Sequence, residues 1–124
     1  MRTAFHISVK GSAKAFDFYQ KVFDAKLLCR YDNPDGTIYH SVIEAYGQEI
    51  MIAELVEGDT VAGNNMSFVL LFGEGEKDTA QKIYNSLNDD ANIICPLSSC
   101  CYAPLIDKYG VKWWVAISDN NPAY

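Results

Sequence analysis

No apolar stretch in this chain reaches the roughly 18 to 20 residues that a membrane-crossing helix needs, so no transmembrane helix is expected. Basic residues are few and scattered. Ten Lys and Arg against 16 Asp and Glu leave a formal charge of −6, with no Lys/Arg cluster anywhere. A surface of that sign repels phosphate backbones, which disfavours nucleic-acid binding. The opening residues Met1 to His6 lack the long apolar core of a signal peptide, and cytoplasmic residence is the expectation. Cysteine pairing is also missing. Cys29, Cys95, Cys100 and Cys101 fit neither a C-x-x-C pattern nor a paired zinc signature, so in a reducing compartment they are expected as small, mostly buried thiols. No Gly-rich loop follows a strand in the manner that cradles a nucleotide-like cofactor. Nor does Cys100 or Cys101 have a sequence-near base to make it a nucleophile.

What remains is an ordinary globular composition, 49% hydrophobic and 21% charged over 124 residues, which suits a single domain with a real core. Within it the chain repeats itself. Ala15, Tyr19 and Val22, spaced as one helix face, recur 65 residues later as Ala80, Tyr84 and Leu87. Tyr46-Gly47 before Ile50 to Ala53 recurs 63 residues later as Tyr109-Gly110 before Trp113 to Ala116. Helix and strand repeating in one order imply two copies of a supersecondary unit. A unit of about 60 residues barely buries a core alone, so the copies are expected to share one.

Periodicity fills in each copy. A strand over 5–9 is followed by a helix over 13–24 capped by Ser12, then strands over 26–31, 37–45 and 49–55. Asn33-Pro34-Asp35-Gly36 and Tyr46-Gly47-Gln48 are the turns. Module one is 1–57, and residues 58–65, rich in Gly and Asn, read as a linker. Module two, 66–124, repeats the order: a strand over 66–72, a Gly73-Glu74-Gly75 break, a helix over 77–87, and strands over 91–97, 100–106 and 111–117. The tail over 119–124 is polar.

A tandem βαβββ repeat of this length resembles the vicinal oxygen chelate superfamily, which includes glyoxalase I, bleomycin-resistance proteins, fosfomycin-resistance enzymes and extradiol dioxygenases. Ala15 to Tyr19 leading to Val22-Phe23, His40 heading a strand that reaches Gly47, Ile50 to Ala53, Cys95-Pro96-Leu97 and Asp107 to Trp113 resemble its PhnB-like branch, sometimes labelled 3-demethylubiquinone-9 3-methyltransferase-like. The resemblance implies an α+β fold of the glyoxalase/bleomycin-resistance type. In it, tandem βαβββ modules form a half-open barrel around a shared pocket. It also implies a homodimer and a small organic ligand. Many members hold a divalent metal through a His or Gln and a Glu from the first and fourth strands of each module.

Tested at those positions, module one offers His6 on its first strand and Glu54 at the end of its fourth, the two weak metal candidates. Module two offers Asn65 to Phe68 and Ala116 to Ser118, without His, Gln or carboxylate. Since a catalytic metal generally needs three protein ligands, no metal site and no cofactor are expected. Other pocket candidates rest on residue type. His40 sits four residues before Glu44 on one strand face, about 13 Å away in an extended chain, as a pocket donor or a sheet histidine. Phe68, Tyr102, Trp113 and Trp114 lie on strands and suit either a core or an aromatic wall; adjacent Trp113 and Trp114 face opposite ways, as do Cys100 and Cys101, with Cys101 kept as the pocket candidate. Small-molecule binding without an intact metal site is the expected function, and an acidic groove would favour a cationic ligand. A metal-dependent glyoxalase- or dioxygenase-type enzyme is the alternative.

Overall fold

The computed structural model of the chain describes residues 1–58, 66–94, 96, 97 and 102–117. Two compact units divide it, Met1–Thr60 and Val61–Tyr124, and each carries the order βαβββ. Most of the predicted linker, residues 59–65, and the polar tail lie outside the described residues.

Unit 1 contains β1 (Ala4–Val9), α1 (Ser12–Val22), β2 (Lys26–Asp32), β3 (Ile38–Ala45) and β4 (Gln48–Glu54). Its sheet runs β1-β4-β3-β2, with β1 parallel to β4 and the other pairs antiparallel. Unit 2 contains β5 (Phe68–Phe72), a single 3-10 turn (Glu74–Glu76), α2 (Lys77–Leu87), β6 (Asn92–Ile93), β7 (Tyr102–Ile106) and β8 (Lys112–Ile117). Its sheet runs β5-β8-β7-β6, again with the first and last strands parallel. The helical stripes that revealed the repeat are buried in both copies: Ala15, Tyr19 and Val22 in α1, Ala80, Tyr84 and Leu87 in α2. Each stripe covers one sheet face, and strand alternation sends the other residues to the face that the helix leaves open.

The start of α1 corrects an expectation. Gly11, at φ 74°, takes the cap position and Ser12 is the first helical residue, making no side-chain cap. Its hydroxyl instead accepts the Ile38 N–H at 2.8 Å, while its own N–H donates to Glu54 Oε1 at 3.0 Å. A carboxylate 42 residues away thus satisfies an amide that a local cap would normally serve. Ile38 reaches Ser12 because β3 carries a bulge: Tyr31 pairs with His40 and Asp32 with Ile38, leaving Tyr39 as the extra residue. The bulge exposes Tyr39 and turns Ile38 fully inward.

The hairpin turns are as expected, by different means. Tyr46 and Gly47, at φ 54° and 77°, form the two-residue turn whose twist matches flanking strands. In unit 2 the longer Asp107–Val111 turn is closed by the Asp107 side chain, with Gly110 at φ 85°. The predicted strand over 91–97 shrinks to Asn92–Ile93, which pairs with Ile106 and Leu105. Pro96, with no N–H to donate, cannot extend that ladder.

Candidate functional site

Register assigns each candidate residue to a face. In unit 1, Phe16 of α1 lies under the Arg30 guanidinium, 4.8 Å from ring centroid to Cζ, and Arg30 pairs with Ser41. Those positions, with Ile43, Ile50, Ile52, Ile7 and Val9, therefore mark the face covered by the helix. His6 pairs with Met51, Met51 with Val42, and Val42 with Cys29, so these four form one row across the open face. His40 lies on the same face, its ring stacked on that of Tyr31 at 6.4 Å and 13°. His6 Nδ1 lies 3.3 Å from Ser8 Oγ, its neighbour two residues along the strand. Cys29, half-buried, is a free thiol.

Glu54 is on the other side. It pairs with Val9, three residues from His6 and so of opposite orientation, and Val9 is buried. The carboxylate is occupied by the first turn of α1. Partial burial pushes its pKa upward, but the Ser12 amide and hydroxyl, the Gly11 amide and the nearby Lys10 ammonium more than offset this and hold it below its ordinary value. His6 and Glu54 therefore do not converge on a common ion. Among the described residues no group of three or more His, Cys, Asp or Glu is placed to hold a metal.

This cap has a testable sign. A carboxyl held below its ordinary value binds protons less readily in the folded than in the unfolded chain, so its stabilisation is present above the ordinary glutamate range. It is lost as pH falls through the lowered folded value. Glu54→Gln is expected to flatten the acid side of a stability–pH profile followed by urea unfolding. An unchanged profile would show that the carboxylate contributes nothing there.

In unit 2 the two tryptophans separate. Trp113, 1% exposed, lies on the face covered by α2, donates its Nε1–H to Asp107 Oδ2 at 2.8 Å and meets Phe68 at 5.1 Å between ring centroids. Trp113 is thus a core residue and Phe68, half-buried, lies beside it on the helix side, not on the open-face wall that residue type allowed. Trp114 is on the open face, between Val69 of β5 and Pro104 of β7. Tyr102 shares that face, next to Ala116 and diagonal to Trp114, and it is exposed together with Leu71 and Val69. Cys101 lies outside the described residues, as do Cys95 and Cys100.

Residue type alone did not single out Tyr31 or Lys112. Lys112, two residues before Trp114, shares its face, with Nζ 5.8 Å from the indole centroid. Alternation from Trp114 would have indicated Lys112 once the open face was known.

Comparisons with known proteins agree with this layout. No family model matches the chain. The uncharacterized protein Mb0911c of Mycobacterium bovis is 30% identical over 112 residues, covering 86% of this chain and 71% of the relative. Rv0887c of Mycobacterium tuberculosis has the same identity, and the chain spans 64% of its length. Among solved structures, the PhnB protein from Bacillus cereus superposes with a TM-score of 0.75 at 21% identity, covering 95% of this chain and 100% of that one. Protein PA1353 from Pseudomonas aeruginosa gives 0.78 at 17% identity, with 95% and 98% covered. The fosfomycin resistance protein FosX from Listeria monocytogenes, solved with Mn(II) and sulfate, gives 0.70 at 13%, with 99% and 95% covered. The chain therefore belongs to one family with Mb0911c, and its α+β fold is that of the vicinal oxygen chelate superfamily in its PhnB-like form, the glyoxalase/bleomycin-resistance type.

Proposed function

We propose that this protein binds a small organic molecule and that the open face of unit 2 supplies its apolar contact. The observation that carries this reading is the placement of Trp114. A half-buried indole on the sheet face away from α2, set between Val69 and Pro104 with exposed Leu71 and Tyr102 beside it, offers the flat apolar platform that organic ligands use. The reading needs no resident metal, in keeping with the separation of His6 from Glu54. Homodimerisation and cytoplasmic residence, expected from the sequence, belong to the same proposal and are read by sedimentation equilibrium and cell fractionation. No helix among the described residues is long and apolar enough to cross a membrane.

Titration with 2-naphthalenemethanol, a neutral flat probe, tests the reading through indole fluorescence and melting temperature. Saturable quenching with a raised melting temperature is expected, because a ligand selective for the native state stabilises it. Trp114→Ala should weaken binding about tenfold, since stacking on an indole adds to the area buried. Absence of saturation in the wild type, or unchanged affinity in the variant, would overturn the proposal.

A further inference from the structure

Net charge and local charge point in opposite directions in this molecule. The chain as a whole is acidic, at −6, and on that basis alone a cationic ligand would be favoured. Yet among the described residues the sheet positions on the open face of unit 2 carry a single charge of either sign under neutral conditions, that of Lys112. Val69 and Leu71 on β5, Ala116 on β8, and Pro104 and Ile106 on β7 are all apolar. Lys112 is half-buried and forms no ion pair among the described residues; its ammonium lies over the Trp114 ring instead. The other lysine nearby in sequence, Lys108, is differently disposed, bound to Asp89 at 2.7 Å.

A cation beside an aromatic platform, with no carboxylate on the same sheet face among the described residues, is complementary to a ligand that is flat and apolar at one end and negative at the other. From this juxtaposition we propose that unit 2 takes an aromatic organic anion, its ring against Trp114 and its carboxylate, sulfonate or phosphonate group at the Lys112 ammonium. The inference rests on the binding reading above and adds the charge of the ligand to it. Lys112 is then the specificity-determining residue, while Trp114 supplies affinity for any flat ring.

Three probes of one shape separate these contributions: 2-naphthoate, 2-naphthalenemethanol and a 2-naphthyl trimethylammonium cation, each titrated against the wild type, Lys112→Met and Lys112→Arg. The wild type should bind the anion about tenfold or more tightly than the neutral probe, as expected for a charge-assisted contact, and the cation least well. Lys112→Met, which keeps the apolar stem, should remove the anion's advantage over the neutral probe. Lys112→Arg should retain it, which excludes loss of fold as the cause. Equal binding of anion and neutral probe, tighter binding of the cation, or an anion affinity untouched by Lys112→Met would overturn this inference and leave the binding reading standing. Failure of all three probes to saturate would overturn the binding reading, and this inference with it.

Discussion

Replacing Asp107 with alanine is expected to destabilise the protein by about 3 to 5 kcal/mol, the cost of breaking a buried, fully bonded carboxylate site from one side. Asp107 is 4% exposed, and at least three donors point at it. Oδ1 accepts the Tyr109 and Val111 amides at 2.9 and 3.0 Å, and Oδ2 accepts the Trp113 indole N–H at 2.8 Å. Alanine would leave all three without that acceptor. The turn amides have some access to water, but the indole N–H, on a residue 1% exposed, has almost none. Asn keeps one acceptor oxygen and should lose roughly half as much, about 2 kcal/mol. Trp113→Phe removes the indole donor, so a double-mutant cycle with Asp107→Asn should return a coupling above about 1 kcal/mol. Urea unfolding followed by far-UV circular dichroism reads each value. A loss below about 1 kcal/mol for Asp107→Ala would mean that the turn holds without its side chain.

Ser12→Ala is the second large effect, about 2 kcal/mol, and it acts between elements distant in sequence. Ser12 and Ile38 are both fully buried, and the Ser12 hydroxyl is the acceptor that the Ile38 amide finds after the bulge at Tyr39. Removing it strands a buried N–H at the start of β3. The Ser12 amide keeps its bond to Glu54, so the helix start itself should survive. Ser41→Ala is the informative control. Its hydroxyl donates to the Ile52 carbonyl at 2.7 Å, and an oxygen with two lone pairs tolerates loss of one donor better than an N–H tolerates loss of its acceptor. Equal losses at the two serines would contradict this account.

Much of the fold was legible in periodicity. The apolar stripes of both helices, the Asn33–Gly36 turn and the two glycine-containing hairpin turns depend on residues close in sequence, where 3.6- and 2-residue periods and φ preferences act directly. The turn at Asn33–Gly36 shows how local this is. Gly36 donates its amide to the Asn33 carbonyl at 3.0 Å, and Asp35 accepts from both the amide and the hydroxyl of Thr37, which lowers the pKa of its carboxyl. A strand pattern also states that Trp113 and Trp114 face opposite ways. Which of the two enters the core depends on what covers each face, and that information sits in other elements.

The sequence by itself determined the repeat, the βαβββ order of each half, and the lack of His, Gln or carboxylate at 65–68 and 116–118 in the second. All three are properties of residue type and spacing along one chain. Only the tertiary structure decided that Ser12 serves β3 rather than its own helix, that Glu54 caps α1 on the face opposite His6, and that Trp114 with Lys112 takes the open side while Trp113 is locked to Asp107. Each of those outcomes turns on a strand register or a hydrogen bond between distant segments, and a shift of one residue in pairing would exchange the two faces.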